Sequence, residues 1–134
     1  GNTEVVAMDN MRKRIAENMI RSKQISAHVS LFSEVDMENI NRIRRHNNEA
    51  FKQREGFSLT YMPFIVEATV KALKEFPFLN AAIEGENILL KKYYNIGIAV
   101  AVEKGLIVPN IFQADGKSLL GLARSVNDLA QRAR

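Results

Sequence analysis

From Asn95 to Ile111 the chain reads NIGIAVAVEKGLIVPNI, with Ile96, Ile98, Val100 and Val102 alternating against Gly97, Ala99 and Ala101. A period of two is that of a strand. One face is bulky and β-branched, while the other is nearly bare and lets a helix, another backbone or a ligand come close. Glu103-Lys104-Gly105 supplies a turn into a second strand, with Gly105 open to a positive φ. Pro109 has no N–H to give to a ladder, which places that second strand at or near an edge. An ordinary core hairpin under a helix has the same pattern, and alternation alone does not separate the two.

The remaining elements follow from periodicity and punctuation. Residues 4–8 read as extended. Asp9 caps a helix to about Lys23, with Met11, Ile15 and Met19 at i+4 spacing. The stretch HVSLFSEVD (28–36) alternates again, with Val29, Leu31 and Val35 on one side and His28, Ser30, Phe32 and Glu34 on the other, so a strand is expected. Asp36 caps a helix over 37–54 whose apolar stripe is Ile40, Ile43 and Phe51, and Gly56 ends it. Pro63 sits in the first turn of a helix over about 62–76. That helix is apolar around most of its circumference, which predicts deep burial, and Pro77 stops it. Ala81–Glu84 and Ile88–Lys91 form a short hairpin across Gly85-Glu86-Asn87. Asp115-Gly116 makes a turn, and Ser118 caps a last helix with Leu119, Leu122, Ala123, Val126, Leu129, Ala130 and Ala133 on one stripe. That stripe keeps its period up to Arg134 without a stop signal, so the chain is expected to end inside an element.

Strands and helices interleave, but several strand pairs are joined by turns too short for a parallel crossover. The expected fold class is α+β: a two-layer sandwich in which helices cover one face of a mixed or mostly antiparallel sheet. At 134 residues a single domain, 1–134, is the expectation. No apolar run approaches the length of a membrane span and no signal-peptide pattern opens the chain. The absence of cysteine removes a disulfide framework, a thiol nucleophile and a thiolate-bound metal.

The formal net charge is +4, and it is concentrated early. Ten of the nineteen Lys and Arg residues fall within 1–54 against seven acidic ones, with clusters at Arg12-Lys13-Arg14 and Arg42-Ile43-Arg44-Arg45. Such a surface suits an anionic partner, including a phosphorylated cofactor. Neither cluster interleaves aromatics with its arginines, which argues against nucleic acid. Most such charges on helices do nothing but solvate a face.

Candidate chemistry is sparse. His28 and His46 are the two histidines. His46 lies in the polar helix segment Arg45-His46-Asn47-Asn48 and reads as solvent-exposed, while His28 starts a strand and could face a cleft. Neither comes with the partners that nucleophilic or acid–base catalysis needs. No ligand spacing for a metal and no glycine-rich phosphate loop is present.

Five segments nevertheless stand in a telling order: MRKRIAENMIRSK (11–23), VSLFSEVD (29–36), SLTYMPF (58–64), FPFLNA (76–81) and NIGIAVAVEKGLIVPNI (95–111). Together they resemble the catalytic domain of the dihydrolipoamide acyltransferases of 2-oxo-acid dehydrogenase complexes, across the whole chain but only the first half or slightly more of that domain. The resemblance implies a chloramphenicol-acetyltransferase-like fold, here truncated. It also implies acyl transfer between a dihydrolipoamide arm and coenzyme A, with a lipoyl group on the parent protein or complex and no metal. Implied partners are two further copies in a homotrimer that builds a larger core, and the dehydrogenase and dihydrolipoamide dehydrogenase components, with neither nucleic acid nor membrane. The implied location is cytoplasmic in a bacterium and the mitochondrial matrix in a eukaryote.

In that family the general base is the histidine of an HxxxDG motif, and a later hydroxyl steadies the oxyanion. Here His28 is followed four places on by Phe32 and His46 by Ala50. Both catalytic segments are therefore expected beyond Arg134, and no catalytic residue is assigned within 1–134. The carried-over coenzyme A contacts are Arg44, with Arg45 as the alternative if the helix alignment slips by one, Thr60, which stands two residues before the MPF segment in TYMPF, and Ala101 on the bare strand. An arginine fork suits phosphate, and small residues give pantetheine room. A solvated arginine, a helix-start hydroxyl and core packing explain the same residues without a ligand. For Arg12, which opens the RKxIAxxM motif, the resemblance implies a structural role, bracing the catalytic region through a salt bridge that residues 1–134 cannot complete. The rival readings are a non-catalytic binding or assembly module of the same fold and, more weakly, a nucleic-acid-binding domain built on the basic half.

Overall fold

The computed structural model describes all residues, 1–134, and divides into two compact units, 1–35 and 36–134. In the first unit, helix α1 spans Asn10–Ile25. Asp9 caps it as its type requires, with Oδ1 accepting from the Arg12 N–H at 2.8 Å. The residues before α1 form no helix or strand.

The expected strand at 28–36 does not form. Alternation assigns side chains to two faces, but a strand exists only when a second backbone satisfies its N–H and C=O groups. This chain offers none there: no backbone hydrogen bond involves residues 27–35. Val29 and Phe32 stand 93% and 92% exposed.

In the second unit, α2 spans Glu38–Glu55 and starts with Asp36 Oδ1 accepting from the Glu38 N–H at 2.9 Å. Gly56 ends it in the left-handed conformation, φ +80°, where its N–H reaches Lys52 O. Helix α3 spans Met62–Glu75 with Pro63 in its first turn. A short 3-10 turn, Pro77–Leu79, follows it. Burial of α3 is narrower than its composition predicts. Pro63, Val66 and Val70 are covered, while Ile65, Ala68 and Ala72 are exposed, because the rest of the unit covers one stripe of the helix and no more.

Strands β1 (Ala81–Glu84) and β2 (Asn87–Leu90) form a hairpin around Gly85-Glu86, one residue tighter than expected. The central hairpin appears as two ladders. Strand β3 (Ile96–Gly97) pairs with β6 (Asn110–Ile111), and β4 (Val100–Val102) pairs with β5 (Gly105–Ile107). Both ladders keep one register, in which Ile98 faces Pro109. Ile98 N–H donates to Pro109 O at 2.9 Å, but proline has no N–H to return, and the ladder breaks there. Every strand pair is antiparallel rather than mixed. Helix α4 spans Leu119–Ala133, capped by Ser118 Oγ accepting from the Gly121 N–H at 3.1 Å.

The hairpin faces divide as the alternation predicts. Ile98 and Val100 are buried with Ile111 against Val66 and Val70 of α3 and Leu122 of α4, whereas Gly97, Ala99 and Ala101 are exposed. Helices on one side and hairpin on the other make the unit two-layered, and the class α+β. A second cluster, Phe51, Leu59 and Ala123 with Phe57, Phe64 and Leu120 around it, fastens the end of α2 to α3 and α4.

Candidate functional site

The segment between α2 and α3 is held flat against α2. Leu59 N–H donates to Asn48 Oδ1 at 2.8 Å, and the Phe51 and Phe57 rings meet edge-to-face at 5.2 Å. That fixation delivers Tyr61 to the face of α2 that carries Asn41 and Arg44, which share a side because they are three residues apart. Tyr61 OH donates to Asn41 Oδ1 at 2.7 Å, Arg44 Nη2 donates to the same oxygen at 3.3 Å, and the Arg44 Cζ lies 4.8 Å from the centre of the Tyr61 ring. The guanidinium is thus stacked and tethered, and its Nε is buried without a partner. A buried charged donor without a partner is costly, and the part of the Arg44 side chain that stays accessible is of the kind that suits an anionic oxygen.

The expected site residues are only partly brought together. Arg44 and the segment carrying Thr60 meet through Tyr61. Thr60 is exposed and borders a groove with Ser58, Pro63, Ala123 and Asn127. Ala101 lies on the exposed face of β4, opposite Leu106. Arg45, the alternative to Arg44, is spread over solvent with Glu38 at 3.8 Å. Asn41 and Tyr61 were not anticipated. The i,i+3 spacing of Asn41 and Arg44 was available as a signal, but the approach of Tyr61 was not.

Elsewhere the polar groups offer little chemistry. His28 Nε2 lies 3.3 Å from Ser22 Oγ, both exposed, with no carboxylate orienting the ring. His46 is exposed, as expected. Arg12 meets Asp9 at 3.8 Å within its own helix start, both well exposed, and braces nothing further. No cluster of three metal-ligating side chains forms, and no helix is long and apolar enough to cross a membrane.

The family model for the 2-oxoacid dehydrogenases acyltransferase catalytic domain matches residues 1–134, and the chain belongs to that family. Among its relatives, a Bacillus subtilis dihydrolipoyllysine-residue succinyltransferase component of the 2-oxoglutarate dehydrogenase complex is 38% identical over 98% of this chain and 31% of its own length. A B. subtilis lipoamide acyltransferase component of the branched-chain α-keto acid dehydrogenase complex is 43% identical over 96% of the chain and 30% of its own. The crystal structure of a probable dihydrolipoamide acetyltransferase from Listeria monocytogenes superposes with a TM-score of 0.94 at 41% identity, covering 99% of this chain and 57% of that one. The chain therefore spans just under a third of the curated relatives it matches.

Proposed function

We propose that this chain is the coenzyme-A-binding part of an acyltransferase that moves an acyl group between dihydrolipoamide and coenzyme A in a 2-oxo-acid dehydrogenase complex. The observation that carries the reading is Arg44: a guanidinium tethered to Asn41 and stacked on Tyr61, paired with no carboxylate, at the position the family resemblance assigns to the coenzyme's phosphates. In this reading Arg44 takes phosphate oxygens, the Thr60 hydroxyl offers a further hydrogen bond, and the bare face at Ala101 leaves room for the pantetheine arm. Coenzyme A supplies the thiol that carries the acyl group. The general base comes from an HxxxDG segment that 1–134 does not contain. The trimer, the larger core, the dehydrogenase and dihydrolipoamide dehydrogenase partners, and the host-dependent location in cytoplasm or mitochondrial matrix belong to the same proposal. The relatives' names support assembly into a complex. Succinyl and branched-chain relatives stand at similar identity, so resemblance does not select the acyl group.

A binding or assembly module is the second reading, favoured by the lack of any oriented histidine in the chain. Acyl transfer from acetyl-coenzyme A to dihydrolipoamide separates the two. The 134-residue chain is expected to give no turnover, and the full-length protein is expected to be active. In that protein, Arg44→Ala is expected to raise KM for coenzyme A by about tenfold or more, the scale of a lost charge-assisted hydrogen bond. Coenzyme A binding by a full-length protein without turnover would favour the module. Turnover by the short chain would mean that a base lies within it, and His28 would be mutated first.

A further inference from the structure

Asn41 Oδ1 accepts two hydrogen bonds at once, from Tyr61 OH at 2.7 Å and from Arg44 Nη2 at 3.3 Å, while the Tyr61 ring lies under the same guanidinium. An amide oxygen has two lone pairs, so both are committed and the Asn41 amide orientation is fixed by its donors. Tyr61 in turn is fixed at both ends, by its hydroxyl on Asn41 and by its place at the start of α3, two residues after Leu59, which is anchored on Asn48. The result is a closed set of three side chains from two elements, twenty residues apart along the chain. Nothing in it neutralises the charge of Arg44, because Asn and Tyr are both uncharged, so the guanidinium is held in place and remains available to an anion.

We infer that Asn41 and Tyr61 are positioning residues that preset Arg44 for a phosphate group of the ligand. The inference rests on the reading of Arg44 as a phosphate contact and deepens it. A free arginine carries several rotatable bonds whose freedom is lost on binding. Stacking on Tyr61 and tethering to Asn41 remove that loss beforehand, which leaves the guanidinium oriented before an anion arrives. The Asn41 Nδ2 group is then a further donor beside the guanidinium, since its oxygen is occupied.

A double-mutant cycle on the full-length protein tests this, with calorimetric affinity for coenzyme A and for pantetheine, which lacks the phosphates, and thermal unfolding as a check on the fold. Asn41→Ala and Tyr61→Ala are each expected to weaken coenzyme A binding about fivefold, and Tyr61→Phe, which keeps the ring, by less. None of them should change pantetheine affinity. In an Arg44→Ala or Arg44→Lys background the same substitutions should add nothing. Full additivity with Arg44→Ala, equal losses for pantetheine, or unchanged coenzyme A affinity in Asn41→Ala and Tyr61→Ala overturns the positioning role while Arg44 keeps its own. Unchanged affinity in Arg44→Ala removes the phosphate reading itself, and the positioning role with it.

Discussion

Glu55 closes α2 with its side chain only 8% exposed and both carboxylate oxygens taken by one arginine. Arg124 on α4 donates from Nε and Nη2 at 2.9 Å each, a two-pronged pair across 69 positions of sequence. The hydrogen bonds from Arg124 hold the Glu55 carboxyl below its ordinary range, with the charges of Arg124 and Arg54 adding to them against the cost of burial. A carboxylate with a lowered folded pKa contributes stability that is complete above its unfolded pKa and is lost as pH falls through its folded one. Glu55→Gln is therefore expected to lower the melting temperature at neutral pH, with the gap to the parent protein closing in acid. A gap independent of pH would mean that packing, and not charge, is what the substitution removes. Neither this pair nor the Asn41–Tyr61 contact was legible in the sequence, because each depends on how distant segments meet. Arg44 was legible through the family resemblance, and its neighbours only through the fold.

The central hairpin was the most legible element, since alternation, a turn and a proline all act over a few residues and agree. Its bare face is less uniform than the letters imply. At Gly97 an added Cβ would lie 2.8 Å from Val108 Cγ1 and 3.1 Å from Asn110 Oδ1, whereas Ala101 is open to solvent. Gly97→Ala should thus cost about 1 kcal/mol through displaced side chains, and Ala101→Ser should stay within about 0.5 kcal/mol. Chemical denaturation of both variants measures the contrast, and equal costs would mean that the two positions are equally crowded. Helix α3 and residues 28–36 taught the reverse lesson. Apolar composition and alternation state which surfaces would gain from cover. They do not state whether this chain supplies it.

At the scale of the whole molecule, the second unit is tied by two apolar clusters and the Glu55–Arg124 pair, and the first by α1 and its cap. The class α+β followed from the sequence because connection lengths limit how strands can pair, even though the strand expected at 28–36 does not form. Residues 27–35 carry one further consequence. With no acceptor for their backbone N–H groups within the chain, their amides should trade hydrogen for deuterium at nearly the rate of an unstructured peptide, while those of α3 and α4, packed over the buried cluster, trade slowly. Any backbone that came to lie alongside would slow that trade residue by residue, in an alternating rhythm. The segment is thus a native clock for assembly, readable by mass before and after the protein meets its partners, without a label or a mutation.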